Sequence, residues 1–256
     1  MRDILAVLGL TALMCGNALA GEIGILVGSV FPPDIVLTAT WLDGTNGVIL
    51  SGAAASDRSG TSVSGAGDVN GDGYSDFLVG ASAADPGGRS VAGSAFLIFG
   101  HSNGYSSEII LTNAFLNGTN GVILSGAAEN ISCGTSVSGA GDVNGDGFAD
   151  LMVSATGARG SAGETYLVFG RASGFPSEIT MTNAWLDGTN GIILAGAALY
   201  DQSGISVSGA GDVNGDGYSD LLIGAHGADP GGKSAAGSAY LVFGRASGFP
   251  SDITMT

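Results

Sequence analysis

The chain has 256 residues, with 23 acidic against 7 basic side chains and a formal net charge of −16. That balance excludes the basic footprint a nucleic-acid surface requires. Its 47 glycines fall at fixed offsets within long repeats and not at every third residue, which excludes both a collagen-like helix and a floppy glycine linker.

In chain order, residues 1–20 hold an apolar run, Ile4 to Met14, behind Arg2, and end Ala18-Leu19-Ala20. This segment reads as a secretory signal peptide cleaved after Ala20, with Asp3 diluting its positive end. The run has eleven residues, short of the ~20 a spanning helix needs, so no transmembrane segment is expected. The expected destination is extracellular, periplasmic or cell-surface. Lipidation at Cys15 fits poorly, because Met14 is too large for such a cleavage site. Cys133 would then be the one cysteine left, so no intrachain disulfide is expected. It aligns with Ser59 and Ser203 and reads as a small residue in a small-residue slot.

Residues 21–40 read as a partial repeat, since Phe31-Pro32-Pro33-Asp34-Ile35 aligns with Phe175-Pro176-Ser177-Glu178-Ile179. Three units follow, 41–113, 114–183 and 184–256, the last running into a next repeat at Ser251–Thr256. In the first unit an Asn46-Gly47 turn precedes a strand over Gly47–Ser51. Further strands are predicted over Thr61–Gly67, Asp76–Ala81 and Ser94–Phe99, each too short for a stable helix and rich in β-formers. The fold expectation is all-β, with β-propeller-type blades that are four-stranded antiparallel sheets, one per repeat. A variable loop sits between the last two strands of each unit. Asp85-Pro86-Gly87-Gly88 recurs as Asp229-Pro230-Gly231-Gly232, while the middle unit is shorter there; such loops are candidate binding edges.

The string Asp-Val-Asn-Gly-Asp-Gly-aromatic-small-Asp occurs three times, at 68–76, 142–150 and 212–220. Oxygen-bearing side chains at positions 1, 3, 5 and 9 are the spacing that lets a curled backbone gather hard ligands around calcium, and glycine at position 6 permits the sharp turn. The first site would use Asp68, Asn70, Asp72, the main-chain carbonyl of Tyr74, and Asp76. The second would use Asp142, Asn144, Asp146, Phe148 and Asp150, and the third Asp212, Asn214, Asp216, Tyr218 and Asp220. An EF-hand would place a bidentate acid at position 12, where this chain has Val79, Val153 and Ile223, so position 9 is the closing carboxylate. Carboxylates held near one another repel by about 4 kcal/mol per pair at 4 Å and an effective dielectric of 20, and three calcium ions would relieve that repulsion.

With these loops, the upstream Gly-Ala-Gly and the recurring Phe99-Gly100, Phe169-Gly170 and Phe243-Gly244, the units resemble the FG-GAP repeats of integrin α subunits and their secreted bacterial relatives. The Gly-Ala-Pro element stands as Gly80-Ala81-Ser82, Ser154-Ala155-Thr156 and Gly224-Ala225-His226, without its proline. The resemblance implies a β-propeller with a calcium ion in the loop between the first two strands of each blade. A closed propeller needs ~4–8 blades, so three repeats imply an incomplete or open one. Three readings stand: a piece of a longer chain, an open array, or self-association through exposed blade edges.

Enzymatic function is not expected. His101 and His226 occupy non-equivalent positions, the serines fall mainly in Ser-Gly turns, and neither a nucleophile elbow nor a His-Glu-x-x-His pair is read from the sequence. The expected role is a secreted calcium-binding scaffold for an extracellular protein or glycan ligand in adhesion. The alternative is the non-catalytic repeat region of a larger secreted, phospholipase-like hydrolase. Trp41, Phe115 and Trp185 recur at one place in each unit and are expected to pack between blades.

Overall fold

Short apolar runs such as Phe77-Leu78-Val79 and Phe96-Leu97-Ile98-Phe99, bounded by Gly, Ser and Asp, can bury themselves only as strands stacked in sheets. The computed structural model describes residues 40, 42–172 and 174–256. The signal-peptide expectation at 1–20, nearly all of the partial repeat at 21–40, and Trp41 lie outside the described residues. The first unit carries β1 (Ile49–Ser51), β2 (Ser59–Gly67), β3 (Asp76–Ala81), β4 (Ser94–Ile98) and β5 (Glu108–Ile110). The second carries β6 (Gly121–Ser125), β7 (Cys133–Gly141), β8 (Asp150–Ala155), β9 (Glu164–Val168) and β10 (Glu178–Thr180). The third carries β11 (Gly191–Gly196), β12 (Ser206–Gly211), β13 (Asp220–Ala225), β14 (Ser238–Val242) and β15 (Asp252–Met255).

Sheet membership bears out blades of four antiparallel strands, β6-β4-β3-β2 and β11-β9-β8-β7, and adds a fifth strand at the outer edge of each. Two sheets have five strands, in the orders β10-β6-β4-β3-β2 and β15-β11-β9-β8-β7; a third has β12-β13-β14, and β1 pairs with β5 alone. The first strand of the second and of the third sequence unit therefore completes the sheet of the unit before it: β6 runs antiparallel to β4, and β11 to β9. The fifth strand is parallel, β10 on β6 and β15 on β11. After β4 the chain steps back to lay β5 beside β1, then returns to pair β6 against β4. Each blade is thus strapped to its predecessor through main-chain hydrogen bonds. The three-residue strands β5 and β10 escape sequence reading because they carry one buried residue between two exposed ones, too short for a periodicity signal.

One core lies between the first two sheets, where Leu78 and Leu97 meet Val137, Leu151 and Val153, and Trp185 packs against it. A second lies between the next two, where Met152 and Leu167 meet Val207, Leu221 and Ile223. The inner strands follow one another, β2 on β7 and β7 on β12. Small residues are required there. Ser62 Oγ and Ser64 Oγ accept from the amides of Val137 and Gly139 at 3.0 and 3.3 Å, and Ser136 Oγ and Ser138 Oγ accept from those of Val207 and Gly209, both at 3.2 Å. Cys133 is fully buried, and burial pushes its thiol up to about 12, consistent with a packing residue.

Candidate metal centre

Each loop begins at a break in strand register. The pairing of β2 with β3 shifts between Gly65 and Gly67, and the same shift recurs at Gly139/Gly141 and Gly209/Gly211. This bulge is the structural content of the repeated Gly-Ala-Gly: Ala66 and Ala140 tuck inward, 2% exposed each, while the glycine that follows each of them turns the strand out into the loop.

Within the loop, the aspartate at position 1 organises the turn. Asp68 Oδ1 accepts from the amides of Gly71 and Asp72 at 2.7 and 3.1 Å, and Oδ2 from Gly73 at 2.9 Å. Asn70 Oδ1 accepts from Asp72 N at 2.9 Å, Asp72 Oδ1 accepts from Tyr74 N at 2.9 Å, and Asn70 Nδ2 donates to Asp72 Oδ2 at 2.9 Å. Gly73, Gly147 and Gly217 have φ of 89°, 91° and 94°, so the positive-φ turn expected at position 6 is present in all three loops. The Asp142, Asn144 and Asp146 loop and the Asp212, Asn214 and Asp216 loop repeat every one of these bonds.

The aspartate at position 9 plays a different part. Asp76 opens β3 and is 1% exposed. Its Oδ2 accepts from Val69 N and its Oδ1 from Gly100 N, both at 2.8 Å. Asp150 takes Val143 and Gly170, and Asp220 takes Val213 and Gly244. The glycine of each Phe-Gly element is therefore an amide donor that ties the end of β4, β9 or β14 to the loop, a role invisible in sequence because donor and acceptor lie 24, 20 and 24 residues apart. Burial pushes the Asp76 carboxyl up to about 6, opposed by the Gly100 and Val69 amides and reinforced by the charges of Asp72 and Asp68. Burial likewise drives Asp150 up to about 7, against Gly170 and Val143.

Among the described residues no three His, Cys, Asp or Glu side chains stand gathered as a metal cluster; the loop carboxylates point at loop amides. The donor set nonetheless fits a hard cation. Asp68 Oδ2, both oxygens of Asp72 and both of Asp76 each accept one hydrogen bond, and a carboxylate oxygen has a second lone pair. All are oxygens, with no soft sulfur or imidazole among them, which is the chemistry of calcium sites.

Neighbouring loops are joined. Ala149 N donates to Asp68 O at 3.0 Å and Arg171 N to Val69 O at 2.9 Å, and Ser219 N and Arg245 N repeat this on Asp142 O and Val143 O. The Phe148 ring lies directly over Gly71, and the Tyr218 ring over Gly145, so position 4 must be glycine for the next blade's aromatic to close down on it. The variable-loop aspartates are also structural: Asp85 Oδ1 accepts from Val91 N at 2.7 Å and Asp229 Oδ1 from Ala235 N at 2.5 Å. One string, Gly100-His101-Ser102-Asn103-Gly104, has the Gly-x-Ser-x-Gly spacing that the sequence reading overlooked. It forms a turn leading from β4 towards β5, without the strand-to-helix elbow that exposes a nucleophile, and His101 stacks on Tyr105 with ring centroids 4.3 Å apart.

Sheets built from repeated units, each with an Asp-rich loop locked to a Phe-Gly turn, define a blade protein of the propeller class. The family model of the FG-GAP repeat matches residues 59–98, 134–168 and 203–242, and the chain is an integrin-alpha-like FG-GAP repeat protein. Integrin alpha-V of Gallus gallus is 30% identical over 170 residues, 63% of this chain and 14% of that protein. Integrin alpha-5 of Xenopus laevis is 30% identical over 189 residues, 70% of this chain and 16% of that protein. The chain thus corresponds to a small part of the length of these relatives. Among the described residues, no helix is long and apolar enough to cross a membrane.

Proposed function

We propose that this chain is a secreted, calcium-stabilised blade scaffold that presents its surface to an extracellular protein or glycan in adhesion. The observation that carries the proposal is the threefold recurrence of one oxygen-rich loop, with identical internal hydrogen bonds, in a chain similar to integrin alpha subunits. In each loop the side chains of positions 1, 3, 5 and 9 and the main-chain oxygen of position 7 would hold one ion. When bound, an ion would supply positive charge to offset the two loop carboxylates and the buried carboxylate of each unit. Position 1 curls the loop, position 9 anchors it to the sheet, and the Phe-Gly amide holds position 9 in place. Three equivalent sites favour structural fastening over catalysis, which needs a single asymmetric constellation with an open position.

Extracellular calcium modules bind at ~0.1–1 mM, so calcium at tenfold its Kd adds about 1.4 kcal/mol per occupied site. Thermal unfolding in millimolar calcium is expected to lie well above that in chelator, and titration calorimetry to return three sites per chain. An unmoved transition in chelator refutes the metal role. Retention of the protein on cells, matrix proteins or a glycan array in calcium, lost in chelator, is the expected adhesion result; no retention on any of the three sinks that part of the reading.

A further inference from the structure

We infer that the Asn103-Gly104 pair, in the turn after β4, is a self-modifying site: in water it sheds the asparagine amide as ammonia and becomes a mixture of aspartyl and isoaspartyl linkages, while the other seven Asn-Gly pairs of the chain are locked against the same reaction.

Asn-Gly occurs eight times, beginning at 46, 70, 103, 117, 120, 144, 190 and 214, and the chemistry open to each pair is the same. The main-chain nitrogen of the glycine attacks the asparagine Cγ, the side-chain nitrogen leaves as ammonia, and a cyclic succinimide closes. Water then opens the ring at either carbonyl. One product is an aspartyl residue; the other is an isoaspartyl residue, whose main chain runs through the former side chain. Nothing is oxidised or reduced, and water is the only other reactant. Glycine favours the attack because no Cβ shields its nitrogen. Two groups must be free for it: the glycine amide that attacks and the asparagine side chain that is attacked.

In the three Asp-rich loops both are held. The amides of Gly71, Gly145 and Gly215 donate to Oδ1 of Asp68, Asp142 and Asp212 at 2.7, 2.6 and 2.7 Å. Asn70 Oδ1 accepts from Asp72 N while its Nδ2 donates to Asp72 Oδ2, and Asn144 and Asn214 do the same on Asp146 and Asp216. At the fourth locked pair, Asn117 Oδ1 accepts from Thr119 N and Asn120 N, and the Gly118 amide donates to Gly121 O at 2.9 Å. Asn46, Asn120 and Asn190 close the same turn in each unit, their main-chain amides donating to Oδ1 of Asp43, Asn117 and Asp187. Their side-chain amides donate to Asp43 Oδ2, Phe115 O and Trp185 O at 3.5, 3.3 and 3.2 Å. Loss of that nitrogen would leave two acceptor oxygens facing each other.

Asn103 differs from all of these. It and Gly104 are exposed, and among the described residues neither its side chain nor the Gly104 amide has a hydrogen-bond partner. Gly104 has a φ of 72° and open space where a Cβ would stand. The turn is nevertheless clamped on both sides: Gly100 N donates to the buried Asp76, and Tyr105 stacks on His101 and donates its hydroxyl to Phe99 O at 3.3 Å. The products therefore add a negative charge and, in the isoaspartyl form, one more main-chain carbon to a turn whose ends stay anchored. The third unit has Ser247-Gly248 at this place, with Gly248 at a φ of 78°. Serine has no acyl carbon to attack, so the same turn is inert there. The chemistry requires neither calcium nor a partner.

Folded protein incubated in mildly alkaline buffer, then digested and mapped by mass spectrometry, is expected to gain aspartate and isoaspartate first at position 103. The peptides holding Asn70, Asn144 and Asn214 are expected to react at least about tenfold more slowly, the factor that one hydrogen bond to a charged group supplies. Asn103→Ser, which installs the residue type of the third unit, is expected to keep the circular dichroism spectrum and to abolish the early acidic species on isoelectric focusing. In denaturant all eight pairs are expected to react at comparable rates. An unmodified Asn103 in folded protein under conditions where the denatured chain reacts overturns the inference. Reaction at a loop asparagine as fast as at Asn103, or the same preference for Asn103 in denaturant, equally overturns it.

Discussion

Gly80 and Gly224 are the same residue in two repeats, yet alanine is expected to change stability in opposite directions at the two sites. Neither has positive φ, so backbone strain does not enter. A Cβ at Gly80 would be driven into the carbonyl oxygen of Gly134 on the next blade's inner strand, with the carbonyl carbon and Cα behind it. That is main chain held in a bulged pairing, with no flexible side chain to swing away. The overlap is about 1 Å, and forcing such groups apart costs ~1–3 kcal/mol. At Gly224 the nearest atom stands 3.6 Å away, an ordinary contact, and reduced freedom of the unfolded chain stabilises by about 0.4–1 kcal/mol. The expected gap is therefore ~1.4–4 kcal/mol, or about 3–16 °C in Tm for a domain of this size. Calcium-saturated thermal unfolding of Gly80→Ala, Gly224→Ala and the parent measures it. Equal shifts, or a more stable Gly80→Ala, would refute the reasoning that close approach of inner strands makes that position glycine.

Asp150→Ala is expected to destabilise the chain even in chelator, by ~2–4 kcal/mol, because it strands the buried amides of Val143 and Gly170; chemical denaturation without calcium checks this, and an effect confined to calcium-loaded protein would contradict it. Asp76 and Asp150 have folded pKa values raised above 3.8, to about 6 and about 7. Their protonated forms therefore favour the metal-free fold, and this contribution is full below pH 4 and lost as pH rises through 6 to 7. Metal-free protein is expected to gain stability from pH 7.5 to 5.5, while calcium affinity falls, about fourfold at the first loop and ~25-fold at the second, from proton competition; calorimetry at the two pH values measures both. Cys133→Ser is expected to cost ~1–3 kcal/mol by burying a hydroxyl without a close partner, and the parent thiol, buried and pushed up to about 12, to resist alkylation until the chain unfolds; rapid labelling of folded protein would contradict its placement.

Local chemistry was legible wherever a signal sits within about ten residues. The central strands Asp76–Ala81 and Ser94–Phe99 were readable because a buried apolar run between turn residues has no other short solution, and the structure ends the second one residue earlier, at Ile98. The positive-φ turn in each loop was readable because a loop that curls on itself is specified by its own Asp, Asn and Gly. Pairing between units was not. A strand such as Gly121–Ser125 has the same composition whichever sheet it joins, and the excursion through β5 that sends it back to β4 rests on a three-residue strand with no periodicity. The amide of Gly100 on Asp76 and the Phe148 ring over Gly71 were hidden for the same reason, being contacts between distant segments.

By itself the sequence determined the repeat, the all-β content, the turn glycines of each loop and the family, because each is written in short-range patterns that recur three times. The tertiary structure alone decided that the two five-stranded sheets are each shared between neighbouring units, that position 9 is a buried anchor taking two main-chain amides, and that each inner strand packs on that of the next blade. Those are properties of surfaces meeting across blades, and a surface is assembled from residues that no local pattern connects.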